Sequence, residues 1–177
     1  MLFFMAVTRR QSREWALQML CQAELNPPLD VDDMIDAFWR QQWQIAQELK
    51  KAEEAFAAPV TDEPPDAPEL VAPARFREFA EARVRGVLSG VKELDDLLEP
   101  HLDHWSMYRL GTVERNVLRL GAWELCNCPD VPHAVVINEA VDLAKYFSNT
   151  ESGRFVNGVL DKLRRQLESS GKSGGKA

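Results

Sequence analysis

The sequence has little cysteine and no long apolar run, which excludes several classes of protein. Its 177 residues include three cysteines, Cys21, Cys126 and Cys128. Because an odd number at irregular spacing is not a disulfide framework, we expect a reducing, cytoplasmic setting. No apolar stretch approaches the roughly 18 residues that cross a bilayer, so we predict no membrane partner.

Motifs typical of enzymes are also missing. The sequence contains no glycine-rich phosphate loop, no serine elbow and no HExxH pair. His101 and His104 could join Cys126 and Cys128 around a zinc ion, but HxxH and CxC lack the spacings that make zinc sites recognisable. We therefore predict no catalytic site from these motifs, and no bound metal or cofactor.

The apolar residues that are present repeat with a period close to 3.6, and no segment alternates as a strand does. This pattern predicts an all-α fold, with helices at about 8–25, 30–49, 74–98, 101–111, 112–127, 136–147 and 155–167. We predict four parts: an N-terminal extension at 1–7, an N-terminal helical subdomain at 8–98, a C-terminal helical subdomain at 99–168, and a disordered tail at 169–177.

One segment of the N-terminal subdomain breaks the helical pattern. Residues 57–74 hold five of the ten prolines, and acids outnumber cations around them. Such a segment cannot bury enough apolar surface to offset the entropy of ordering it. We predict a flexible acidic loop at about 57–74.

The charge of the chain is unevenly distributed. The formal net charge is −7, yet the first 13 residues hold Arg9, Arg10 and Arg13 and no acid. Cations at a helix start oppose the helix dipole, whereas free N–H groups and guanidinium forks there match a phosphate. Two interpretations stay open: a phosphate backbone binds these arginines, or Glu14 and its neighbours neutralise them.

Cations also gather at the other end of the chain. Between residues 161 and 177 there are five cations and two acids. A chain that is basic at both ends and acidic between them is typical of a protein with one nucleic-acid surface and separate surfaces for other partners. A basic tail that only improves solubility has the same composition.

Three stretches carry a resemblance to a known family. RRQSREWALQMLCQAEL, TVERNVLRLGAWEL and DVPHAVVINEAVDLAKYFSNTESGRFVNGVLDKL resemble the NusB family of transcription antitermination factors. The resemblance covers about Thr8 to Leu167, except the stretch between about Leu49 and Pro73. It implies two packed three-helix bundles and a role that is not enzymatic. It also implies two binding partners, NusE, which is a protein of the small ribosomal subunit, and single-stranded boxA RNA. Within an antitermination complex with RNA polymerase, the pair would promote read-through, chiefly of ribosomal RNA operons.

The resemblance also implies which residues contact RNA. Arg9, Arg10 and Arg13 match the arginine-rich start of the family, and Gln18 lies on the same helix. The other implied contacts are His101, Arg119, Phe147, Arg154 and Phe155. Exposed rings beside cations suit single-stranded RNA, because bases stack on the rings while cations follow the phosphates. Both phenylalanines also fit a helical core stripe, so core packing stays an alternative for them.

For NusE, the implied contacts are Glu114 in the VER segment and the position of Cys21. Glu114 also suits the first turn of a helix, where an acid is favourable in any case. The family commonly has an aromatic residue at the position of Cys21 and a tyrosine at the position of His101, so this chain departs from it at both.

Two other functions have to be weighed. A similar helical domain precedes the catalytic domain of some ribosomal RNA cytosine methyltransferases, and this chain could be such an RNA-binding domain. A helical bundle that binds only proteins is the second alternative. If charge reversal at Arg10 and Arg13 leaves every RNA interaction unchanged, the alternative of a protein-binding bundle is supported.

Overall fold

The computed structural model describes residues 7–54 and 72–173, and this part of the chain is helical without any strand. The prediction of an all-α fold is therefore confirmed. The chain divides into two compact units, residues 1–82 and 83–177. The helices are α1 Arg9–Leu25, α2 Val31–Glu54, α3 Ala74–Ser89, α4 Val91–Leu98, α5 Thr112–Asn127, α6 His133–Phe147 and α7 Thr150–Ser173.

In the first unit, short polar side chains start the helices and aromatic rings pack them. The Thr8 hydroxyl accepts a hydrogen bond from the backbone N–H of Gln11 at 3.3 Å and so caps α1. The Asp30 carboxylate accepts two backbone N–H groups at the start of α2, at 2.7 and 3.1 Å. Trp15 of α1 meets Trp39 of α2 edge to face, with ring centroids 5.3 Å apart, and both indoles are buried.

In the second unit, α5, α6 and α7 pack against one another around a nearly continuous buried face of α5. Gly121 allows this close packing, because a Cβ at its position would lie 2.7 Å from Leu160 of α7. Gly86 of α3 plays the same part, since a Cβ there would overlap the indole ring of Trp123.

The helix predicted at 74–98 is two helices. It ends at Ser89, and α4 starts at Val91 with Gly90 as its N-cap. The Ser89 hydroxyl donates to the Gly86 carbonyl at 3.0 Å, a bond that satisfies a free acceptor of the last turn of α3. Periodicity missed this break because the apolar stripe continues across it.

The segment between Pro100 and Gly111, predicted to be one short helix, is instead two 3₁₀ turns, Glu99–His101 and Met107–Arg109. The Glu99 carboxylate accepts the N–H of Met107 at 2.9 Å and holds the turns together. Gly111 is the N-cap of α5.

The last helix extends beyond its predicted end at 167. Residues 169–173, placed in a disordered tail by the prediction, belong to α7. Arg164 pairs with Glu168 at 2.8 Å, and the Ser170 hydroxyl donates to the Gln166 carbonyl at 2.9 Å. These polar contacts within the helix stabilise the end of α7, where the apolar stripe no longer continues.

Several predictions concern residues that the structure does not describe. Residues 1–6, most of the acidic loop predicted at 57–74, and 174–177 lie outside the described ranges, whereas Ala72 is buried and Ala74 already begins α3. The domain boundary predicted between residues 98 and 99 stays a prediction. Within the described helices, no segment is both long and apolar enough to cross a membrane.

Candidate nucleic-acid interface

The start of α1 carries cations that rest on an aromatic ring. The guanidinium carbons of Arg9 and Arg13 lie 5.5 and 5.2 Å from the centroid of Phe79, within cation–π range. No acid stands in the first turn of α1. Arg9 is exposed, whereas Arg13 is only 3% exposed. Arg13 therefore contributes to the packing of α1 on Phe79, whereas Arg9 is accessible to solvent.

Arg10 is partly neutralised within its own helix. Its Nε lies 3.5 Å from Glu14 Oε1, and the Arg10 side chain stays 41% exposed. The interpretation that Glu14 offsets the arginines is therefore correct for Arg10 in the free protein. An exposed i, i+4 pair contributes only about 0.3–0.5 kcal/mol, so an incoming phosphate can replace it at small cost. Gln18 is exposed on the same helix.

In the second unit, Phe155 and Trp105 line two neighbouring grooves. The first groove, of about 240 Å³, brings together the predicted residues His101, Arg154 and Phe155. Trp105 and Lys162 line it as well, and Lys162 forms an ion pair with Asp103. The Nε2 atom of His101 is buried and has no hydrogen-bond partner among the described residues. This groove combines rings, cations and an unused ring nitrogen.

The second groove, of about 600 Å³, contains Glu114 and Phe155 and is lined further by Trp105, Arg109, Leu110, Gly111, Asn149, Glu151 and Ser152. The Arg109 guanidinium lies 5.6 Å from the Trp105 ring centroid. Trp105 is 53% exposed. An exposed indole beside carboxylates can accept a cationic or aromatic side chain of a protein partner.

Glu114 is held by two hydroxyl groups. Its Oε1 accepts a hydrogen bond from Ser152 at 2.6 Å and from Ser148 at 2.7 Å. Burial raises the pKa of Glu114, but these two bonds and one from its own backbone outweigh burial, so the pKa lies below its ordinary value. The carboxylate is therefore ionised and oriented. Cys21, the other predicted partner contact, is half-buried.

The remaining predicted residues lie elsewhere in the second unit. Arg119 is buried and makes two hydrogen bonds of 2.7 Å to the carboxylate of Asp95, so its guanidinium belongs to the interior. Phe147 is half-buried, meets the exposed Tyr146 edge to face, and lines neither groove. Arg154 is exposed and pairs with Glu151 at 2.6 Å.

Sequence reasoning missed several residues of these surfaces. Trp105 and Arg109 belong to the HWSMYR stretch, where interleaved aromatic and basic residues were the available signal. Arg75 and Arg77 open α3, which like α1 has no acid in its first turn. The Arg75 guanidinium lies 4.7 Å from the Phe76 ring centroid. Their signal was the run ARFR directly after the prolines.

Comparison with known proteins decides the family. The sequence pattern of the NusB family matches residues 40–165. The chain belongs to the NusB family. It is 39% identical over 155 residues to the transcription antitermination protein NusB of Myxococcus xanthus, covering 88% of this chain and 93% of the relative. The NusB of Sorangium cellulosum is 37% identical and is covered to 93%.

Solved structures agree with the sequence comparison. The NusB structure from T. maritima superposes with a TM-score of 0.68 at 29% identity, covering 91% of this chain and 93% of that one. A crystal structure of antitermination factors NusB and NusE in complex with dsRNA superposes with a TM-score of 0.62 at 26% identity, covering 89% and 96%. The relatives of this NusB-family chain are thus antitermination factors and not enzymes.

Proposed function

We propose that this chain binds boxA-type RNA together with NusE, and that this complex promotes read-through by RNA polymerase in the cytoplasm, chiefly of ribosomal RNA operons. The observation that carries the proposal is the placement of exposed cations beside partly exposed rings: Arg9 on Phe79, and Arg154 in one groove with Phe155. Cations that follow phosphates and rings that stack on bases are what single-stranded RNA requires. The relative solved with NusE and dsRNA supports both partners.

We assign RNA contact to Arg9, Arg10, Gln18, His101, Arg154 and Phe155. Arg13 and Arg119 act through the protein interior, since each is buried. The groove that holds Glu114 is the proposed surface for NusE, because its carboxylate is ionised and fixed in direction. A cationic side chain of NusE would form a charge-assisted hydrogen bond with the Glu114 carboxylate.

The test is fluorescence anisotropy of a labelled boxA RNA and a scrambled RNA, at two salt concentrations, with and without NusE. We expect tighter and sequence-selective binding when NusE is present. NusE binding without any RNA selectivity would contradict the RNA proposal and leave a bundle that binds only proteins.

One arginine variant makes this test specific. Arg9→Ala removes an exposed cation, and we expect the slope of log affinity against log salt to fall by roughly 0.7–1 for the lost phosphate contact. Arg40→Ala is the matched control, because Arg40 is an exposed arginine on α2 of the same unit. Equal slopes for the two variants would exclude Arg9 from the interface.

Phe155→Ala tests the groove in the second unit. Losing a stacking ring should weaken RNA binding by about 1–3 kcal/mol. Tyr108→Ala is the control, since Tyr108 is 90% exposed in the same unit and lines neither groove. If both variants bind RNA as the wild type does, bases do not stack on Phe155.

A further inference from the structure

The start of α3 resembles the start of α1 in its charge. Arg75 and Arg77 stand in its first turn, where the structure has no acid. The N-terminal end of a helix favours anions, so arginines there are unfavourable unless an anion binds to them. In the described part of the chain neither arginine forms an ion pair, and Arg77 Nε is buried without a hydrogen-bond partner. Contacts among the described residues therefore do not explain why arginines stand at this helix start.

Phe79 joins the two helix starts. It lies one turn after Arg75 on α3, and the guanidinium groups of Arg9 and Arg13 from α1 both rest on its ring, at 5.5 and 5.2 Å. Like charges that share one ring repel each other, and a bound anion relieves that repulsion. Residues four apart share a helix face, so Arg75 lies on the Phe79 face of α3 and belongs to one surface of the first unit with Arg9 and Arg13.

The Arg75 side chain on α3 is held in place by a neighbouring ring before any anion binds. Arg75 is exposed, and its guanidinium is stacked at 4.7 Å from the Phe76 centroid, which limits its conformational freedom before binding. Phe76 is half-buried beside it. Glu78 is the exposed acid nearest in sequence, and it forms no ion pair with Arg75 among the described contacts.

We propose that the RNA-binding surface extends from α1 onto the start of α3, where Arg75 binds a phosphate group of the same RNA strand. This inference rests on the proposed RNA binding through Arg9 and Arg10. It adds one phosphate contact that the arginine-rich start of α1 does not supply.

The experiment measures RNA affinity of the full chain with NusE for Arg75→Ala, Arg75→Lys and Arg75→Glu. We expect Arg75→Ala to lower the salt slope by about 0.7 and the affinity by about fivefold at 0.1 M salt. Arg75→Lys should retain most of the slope, because a phosphate accepts either cation. Arg40→Glu on α2 is the control for the change in net charge that Arg75→Glu produces. Circular dichroism of each variant confirms that the helices are retained.

RNA length separates this inference from the proposed function. An RNA lengthened by about five nucleotides at each end should gain affinity with the wild type and lose that gain in Arg75→Glu. If the wild type binds RNA with an Arg9-dependent slope while Arg75→Glu behaves as Arg40→Glu does, the extension onto α3 is wrong and the proposed function stands. If the wild type shows no RNA binding, both fail.

Discussion

At the scale of single residues, Glu114 shows how neighbours decide what a side chain can do. Its position in the first turn of α5 is favourable by itself, but the two serine hydroxyl groups determine its direction and keep it ionised. Gly111 contributes as well, since a Cβ there would lie 2.5 Å from Glu114 Oε2. The Glu114 carboxylate is therefore held in one direction by its neighbours.

Removing both hydroxyl groups should change stability in a pH-dependent way. Because the folded-state pKa of Glu114 is lowered, its contribution is present above the unfolded pKa near 4.5 and is lost as the pH falls through the folded value. We expect Ser148→Ala/Ser152→Ala to lower the free energy of unfolding at pH 7 by about 1–2 kcal/mol. Urea denaturation at pH 7 and pH 3 measures this, and the difference from the wild type should shrink at pH 3.

The control for this pair is Ser170→Ala, whose hydroxyl donates to a backbone carbonyl on the exposed end of α7. It should show no such pH dependence. A loss for the serine double variant that is equal at both pH values would mean that the hydroxyl groups do not act through the Glu114 carboxylate.

At the scale of helices, glycine positions set how closely the elements pack. Gly86 on α3 faces the indole of Trp123 on α5 so closely that no Cβ fits, whereas a Cβ at Gly158 on α7 would meet no atom within 4 Å. The two glycines look alike in the sequence, since each lies inside a predicted helix. Their opposite environments make them a matched pair.

We expect Gly86→Ala to destabilise the protein by about 1–3 kcal/mol, because Trp123 must move. Gly158→Ala should stabilise it by about 0.5–1 kcal/mol, because alanine loses less backbone entropy in a helix. Chemical denaturation of both variants, with the slope against denaturant checked for constancy, tests this. If Gly86→Ala were as stable as the wild type, the packing of Trp123 on α3 would differ from that described.

At the scale of the whole molecule, the arginines divide into those that fold the chain and those that face solvent. Arg83 pairs with Glu124 at 2.5 Å and Arg119 with Asp95 at 2.7 Å, all within the second unit, and both guanidinium groups are buried. Arg9 and Arg75 are exposed in the first unit. A net charge of −7 is therefore compatible with exposed cations at the starts of α1 and α3, because the first turn of neither helix contains an acid.

This division predicts different effects for two arginines of the same chain. Arg119→Met should lower the free energy of unfolding by about 1–3 kcal/mol, since Asp95 loses two charge-assisted hydrogen bonds. The salt slope of RNA binding should stay as in the wild type. Arg9→Ala should lower the salt slope of RNA binding and leave the free energy of unfolding close to that of the wild type. Thermal unfolding and anisotropy on the same samples measure both, and a reduced slope in Arg119→Met would place that residue in the RNA interface.

Sequence reasoning reached the helical fold and the family because both depend on local or one-dimensional patterns. The 3.6-residue period is a property of short segments, and the structure shows the helices that it predicts. The break at Gly90 and the two 3₁₀ turns near Pro100 were missed, because they depend on which single residue caps or accepts a hydrogen bond.

The sequence by itself determined the all-α fold, the NusB family, and a cationic start of the first helix. Only the tertiary structure decided which arginines are buried, that Trp105 joins Phe155 in two grooves, and that Phe79 connects α1 with α3. The physical reason is that burial and cation–π contacts arise between segments far apart in the chain. Arg9 and Arg13 are identical in chemistry and four residues apart, and only their surroundings make one exposed and the other buried.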